Sequence, residues 1–223
     1  MEPPHLTFAR LISAFLQNRA FQKVQPGTTD ALKAWSPVNG ADIAVVADST
    51  PVSNALPNSL TLTVPEGSAG PVGVANEGYF GIKVSSSWEY KASFFYRTSF
   101  SGDATISLQT SSGDILGSTT ASLAGDEATW KQASVKFTPT TDADSVDNQF
   151  VVTVDGEVAS SQIINFALFS LFPPTFNNRE NGLRIDIAEV CVLPCEAGWG
   201  WTDSRPQDVT RNEARFLQVC GRQ

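Results

Sequence analysis

Four aromatic side chains, Trp88, Tyr90, Tyr96 and Trp130, have the type and spacing suited to stacking on sugars. A flat ring covers the apolar C–H face of a pyranose or furanose while polar neighbours bond the hydroxyls. Tyr90 and Tyr96 are an even number of residues apart, so in an unbroken strand they point to one side, joined by Phe94 and opposed by Phe95. One face of such a strand must be core. Each ring is therefore read either as a sugar platform or as core or domain-interface packing.

The acidic candidates are weaker. Asp186 and Glu189 are three apart on an expected helix and share a face. A retaining glycosidase needs two carboxyls about 5–5.5 Å apart across a sugar, with a pocket that raises one pKa. Nothing around this pair supplies one, so an exposed acidic face near a helix N-terminus is the simpler reading, and no residue is assigned a catalytic role. Asp142, Asp144 and Asp147 form an acidic loop of hard oxygen donors. It is read as a structural Ca²⁺ site or as a solvated loop, the bend glycine and distal bidentate glutamate being absent. No other metal or cofactor is expected. Cys191 and Cys195 lack partners for a zinc site, Cys220 is remote, and the sole His5 rules out a histidine-based triad.

The elements that would position these residues read as mainly β. The stretch 6–22 carries Leu6, Phe8, Leu11, Ile12, Phe15, Leu16 and Phe21 at helical spacing and predicts a short amphipathic helix ending near Asn18-Arg19, which would cap and pin it. Residues 23–39 are turn-rich, with Trp35 packing the entry to the β region. From Ile43 the period changes to two. Strands are expected at 43–46, 59–64, 72–75, 79–84, 89–97, 104–110, 115–123, 130–138, 150–154 and 163–171, with Asn76-Glu77-Gly78 as a turn. Short strands joined by Gly, Pro, Asp and Ser turns imply an antiparallel β-sandwich of the jelly-roll kind. Pro173-Pro174 stops the last strand. Asn181 would cap a helix over 183–190, and the cysteine-bearing tail keeps a helical signal only near 209–219. The expected division is 1–40 helix and linker, 41–175 sandwich, and 176–223 the start of a helix followed by a divergent tail.

The chain has 223 residues and a formal net charge of −8. That acidity argues against a nucleic-acid partner, whose affinity draws on Lys and Arg, and suits a neutral ligand or plain solubility. No apolar run reaches the roughly 18 residues of a membrane span; Asn165 and Ser170 interrupt the longest. The first ten residues lack the basic start and apolar stretch of a signal peptide.

Ordered blocks along residues 11–190 resemble the fungal glycoside hydrolase family 51 α-L-arabinofuranosidases. They are Leu16-Gln17-Asn18-Arg19-Ala20-Phe21-Gln22, Ala34-Trp35-Ser36-Pro37-Val38, Asn76-Glu77-Gly78-Tyr79-Phe80-Gly81-Ile82, Phe137-Thr138-Pro139-Thr140 with Asn148–Asp155, and Leu168–Phe176 followed by Asn181-Gly182-Leu183-Arg184. The resemblance implies hydrolysis of terminal α-L-arabinofuranosyl residues in arabinan and arabinoxylan, secretion, and a β-sandwich like carbohydrate-binding modules of families 4 and 9, docked on a catalytic barrel. The family's two catalytic glutamates lie on that barrel, downstream of the matched region, and no position here corresponds to either. After Val190 the family pattern gives way to Cys191-Val192-Leu193-Pro194-Cys195. The expectation is therefore an arabinofuranosidase fragment, inactive alone, whose natural partner is the missing barrel. A stand-alone carbohydrate-binding module and a non-functional partial gene product remain as alternatives.

Overall fold

The computed structural model describes residues 15–175. Of these, the residues up to Phe172 belong to one compact unit. Ten strands make up this unit: β1 (Trp35–Val38), β2 (Asp42–Ala47), β3 (Asn58–Thr63), β4 (Pro71–Asn76), β5 (Tyr90–Thr98), β6 (Gly102–Thr110), β7 (Ile115–Leu123), β8 (Asp126–Phe137), β9 (Asn148–Asp155) and β10 (Ile163–Phe172). They form two five-stranded sheets, β1-β4-β9-β6-β7 and β2-β3-β10-β5-β8, and every pairing is antiparallel. The fold is the expected β-sandwich.

Alternation builds the core. In β5, Tyr90, Ala92, Phe94 and Tyr96 are buried while Lys91, Ser93, Phe95 and Arg97 face outward. In β8, Ala133 and Phe137 are buried while Gln132, Ser134 and Lys136 are exposed. Phe94 meets Phe166 and Phe169 of β10 at ring-centroid distances of 5.5 and 5.7 Å. Val72, Val74, Ile106, Leu108, Phe150 and Val152 supply the apolar side of the other sheet. Burying one such large side chain stabilises the fold by about 1.5–3 kcal/mol.

Three local readings are corrected. First, residues 15–22 form bends and turns, not a helix; positions before 15 lie outside the described residues. Asn18 and Phe21 have φ of 53° and 51°, which breaks a right-handed helix. The apolar spacing instead serves packing: Phe15 lies against Tyr90, and Phe21 against Trp35. Asn18 and Arg19 accordingly cap no helix. The Asn18 amide donates to the Ala31 carbonyl at 2.7 Å, and Arg19 donates to Phe169 O and Ser170 Oγ at 3.0 and 2.9 Å. Burial lowers the pKa of Arg19 from its ordinary value. These bonds secure a bulge in β10, where the register shifts between Ala167 and Ser170 and Leu168 has φ 49°.

Second, Tyr79–Val84 is not a strand. Its polar backbone atoms are taken by the facing loop and by side chains: Ile82 N–H donates to Val146 O, Ala143 N–H to Val84 O, and the Asn148 amide to Ile82 O. With those groups satisfied locally, a fully buried Ile82 needs no ladder. Third, Trp35–Val38 is a strand despite Pro37. It lies at the rim of its sheet and pairs only with β4, so the missing N–H of proline costs little. The expected helix at 183–190 and the tail lie outside the described residues. Among the described residues, no helix is long and apolar enough to cross a membrane.

Candidate functional site

The outer face of the β5–β8 ladder carries a strip of polar and aromatic side chains. Lys91 stands opposite Lys136, Ser93 opposite Ser134 and Phe95 opposite Gln132. Beyond Tyr96 and Lys131 the register shifts, and β8 contributes extra residues before Asp126 meets Thr98. Such irregularities re-aim side chains, and Trp130 sits in this one.

Trp130 is half-buried and held on two sides. Its indole Nε1–H donates to the Thr50 carbonyl at 2.8 Å. The Arg97 guanidinium lies over its ring, 4.9 Å from the centroid, a cation–π arrangement. Arg97 is itself fixed through Nη2, which is shared between Asp48 Oδ1 and Oδ2 at 3.0 and 3.1 Å, and through Nη1, which donates to the carbonyl and hydroxyl of Thr50. The Arg97 and Asp48 side chains keep only 14% and 2% of their exposure. Asp48 and Thr50 belong to the β2–β3 connection. Because β2 lies at the opposite side of this sheet, the connection folds back over the outer face to reach them. The result is an indole whose orientation is set by three separate segments. A preoriented flat ring is what stacking on a sugar requires.

The other three candidate rings are core. Tyr90 is fully buried, and its hydroxyl donates to Lys83 O at 2.9 Å and accepts from Ser85 N–H at 3.1 Å. Tyr96 retains 5% exposure and accepts from Ala124 N–H. Trp88 retains 8% and packs 6.1 Å from Tyr90, with the Lys83 ammonium over its ring. None of the three offers a free face to a ligand; their even spacing put them on one side, and burial makes that side the inner one. The same parity rule, applied to Lys91 and Arg97, marks the outer side.

The carboxylates of the acidic loop do not converge with one another. Asp142 Oδ1 accepts the Ser86 N–H at 2.6 Å, and this bond, with help from the Ser85 and Ser86 hydroxyls, holds its pKa below the ordinary value. Among the described residues no three His, Cys, Asp or Glu side chains converge as a metal site. Asp126 plays a similar turn role. The Thr129 hydroxyl and the Ala128 N–H lower its pKa from the ordinary value. Asp186 and Glu189 lie outside the described residues.

Two features went unnoticed in the sequence. One is an exposed aromatic pair, Tyr79 and Phe80, with ring centroids 5.2 Å apart and 49% and 85% exposure. The other is a cavity of about 440 Å³ at the Lys91–Lys136 end of the strip. Cross-strand register locates that cavity, and register is not visible in a list of strands.

No protein-family model matches the chain. Among curated proteins it is 41% identical over 176 residues to α-L-arabinofuranosidase A of Aspergillus kawachii, covering 78% of this chain and 27% of that protein. The chain thus spans about a quarter of the length of the curated relatives it matches. Among solved structures, the arabinose-bound MgGH51 α-L-arabinofuranosidase aligns with a TM-score of 0.76 and 54% identity, over 80% of this chain and 29% of that one. The Stig cyclase Fisc from Fischerella sp. TAU aligns with a TM-score of 0.51 at 14% identity, over 72% of this chain and 96% of that one, a likeness of fold alone.

Proposed function

We infer, from homology to one region of the fungal α-L-arabinofuranosidases, that this chain supplies the accessory β-sandwich of such a protein and holds its polysaccharide rather than cutting it. The ligand is arabinan or arabinoxylan bearing terminal α-L-arabinofuranosyl groups, met outside the cell. Hydrolysis with retention, the activity of the family, belongs to glutamates on a barrel to which no described residue corresponds. The observation that carries the binding role is the fixed indole of Trp130. It is the one sugar-stacking candidate of the four that reaches the surface, and the Arg97, Asp48 and Thr50 frame that anchors the β2–β3 connection also fixes the orientation of the ring.

Affinity electrophoresis through gels containing arabinoxylan tests this reading. The chain should be retarded, and no retardation by arabinan or arabinoxylan overturns it. In parallel, the purified chain on p-nitrophenyl α-L-arabinofuranoside should stay at the blank rate. Turnover at an ordinary enzymatic rate would show that the chain carries catalysis itself.

The Tyr79–Phe80 pair favours a second role alongside the first. Adjacent exposed rings on a loop tied down at Gly78 and Ile82 resemble the apolar part of an interface. They suit docking on the remainder of an arabinofuranosidase. Co-expression with a barrel segment and a pull-down, with and without Phe80→Ser, tests it.

A further inference from the structure

We propose that the Lys91–Lys136 end of the strip is a subsite for a carboxylate-bearing sugar, a uronic acid residue of an acidic plant polysaccharide. The proposal rests on the glycan-binding reading of the same strip and names a second ligand class for it.

Three observations lead there. Lys91 and Lys136 are direct cross-strand partners on one face. Side chains so placed have Cβ atoms about 4.5–5.5 Å apart, and like charges there repel and destabilise the sheet. The repulsion is unusual in a chain of net charge −8, where acidic neighbours are plentiful. Only one of the two ammonium groups is offset: Glu89 Oε1 lies 3.4 Å from Lys136 Nζ, in an exposed pair of little strength. Lys91 has no ion pair among the described residues. A positive pair so incompletely offset is relieved by an anion between the two heads.

Second, the lysines line an open depression in the surface. Its volume of about 440 Å³ falls in the range of small-ligand sites, roughly 300–1,000 Å³. Third, its remaining lining fits a sugar better than a bare anion. The next rung of the ladder is Ser93 opposite Ser134, two hydroxyls that can donate or accept. Phe172 of β10, in register with Lys91, lines the same cavity and supplies an apolar wall. Ammonium groups for the carboxylate, hydroxyls for hydroxyls and an aromatic wall for C–H groups together describe a uronate. Lys91 and Arg97 are six positions apart on β5, so the basic end lies about 20 Å along the strand from the Trp130 platform. One polysaccharide chain can therefore engage both ends.

The test uses the whole 223-residue chain in affinity gels containing polygalacturonate, the same polymer after carboxyl reduction, or neutral arabinoxylan. The wild-type chain should be retarded by polygalacturonate, less so in 0.5 M salt, and not by the reduced polymer. The double variant Lys91→Gln/Lys136→Gln should lose at least tenfold in polygalacturonate affinity while keeping its retention by arabinoxylan. Its melting temperature should hold or rise, because a repulsion has been removed. Equal retention by the reduced polymer, or undiminished polygalacturonate binding by the double variant, overturns the subsite. Absent polygalacturonate binding with arabinoxylan retention intact overturns this inference alone. Loss of retention by every polymer overturns the glycan-binding reading as well.

Discussion

The Arg97 guanidinium and the Trp130 indole donate to one acceptor, the Thr50 carbonyl, at 3.1 and 2.8 Å, while the cation lies 4.9 Å from the ring centre. The aromatic platform and its support are thus locked to the same backbone atom. Asp48 completes the lock by neutralising Arg97 where little water reaches either side chain. Such a frame restricts the rotamers of a large half-buried ring before any ligand arrives, which removes part of the ordering cost of binding.

Asp48→Ala should therefore act on both stability and binding. It leaves a largely buried guanidinium without its counter-charge, a change that costs about 3–5 kcal/mol. Urea unfolding should show that loss, and polysaccharide affinity should fall with it as the indole loosens. Glu89→Gln, which breaks the exposed pair with Lys136, should shift stability by less than about 1 kcal/mol. Similar costs for the two variants would contradict the burial argument.

The core role of β5 predicts a different pattern. Phe94→Ala removes a ring packed on Phe166 and Phe169 and should cost about 3–5 kcal/mol. Tyr90→Phe keeps the ring but leaves Lys83 O and Ser85 N–H without the hydroxyl, for a loss of about 1–3 kcal/mol. The affinity of the folded Tyr90→Phe protein for arabinoxylan should be unchanged. A selective loss of binding in that variant would place Tyr90 in the ligand site.

Gly81 tests the loop that replaced an expected strand. Its φ is +84°, and an added Cβ would come within 2.2 Å of the Val146 carbonyl oxygen. Gly81→Ala should destabilise by more than the roughly 1 kcal/mol of a simple backbone-entropy change. A neutral result in thermal unfolding would mean that the contact between the 77–84 and 142–148 loops is not fixed.

Acid should loosen the loops around Asp142 and Asp126. The Ser86 N–H on Asp142 and the Thr129 hydroxyl on Asp126 hold both carboxyls below the ordinary value of 3.8. A lowered folded-state pKa contributes stability that is present above the unfolded value and lost as pH falls through the folded one. The urea midpoint should thus drop below about pH 4, and less steeply in the Asp126→Asn/Asp142→Asn variant. An identical slope would remove these two groups from the acid response.

Much of the scaffold was legible because half-buried strands announce themselves by alternation. Every expected strand except Tyr79–Val84 is present, and β5 and β8 each bury one alternating set of side chains and expose the other. The failures have physical causes. The segment 15–22 has helical spacing but a left-handed backbone at Asn18 and Phe21, so its apolar residues pack as turns. Tyr79–Val84 alternates, yet Val146, Asn148 and Ala143 satisfy its backbone. Trp35–Val38 was hidden by Pro37, which the rim of a sheet tolerates. At the candidate site, side-chain type alone chose four rings. Only register and the crossing of the β2–β3 connection separate Trp130 from the three buried ones, and only register pairs Lys91 with Lys136.

The central claim is that this sandwich holds polysaccharide through the indole of Trp130. The most direct measurement is the arabinoxylan dissociation constant of the chain and of Trp130→Ala, with unfolding curves for both. The account predicts at least a tenfold weaker affinity for the variant, which should still fold with a stability loss of about 1–3 kcal/mol from the lost indole hydrogen bond, cation–π contact and partial burial. Undiminished affinity in a folded Trp130→Ala protein would contradict it.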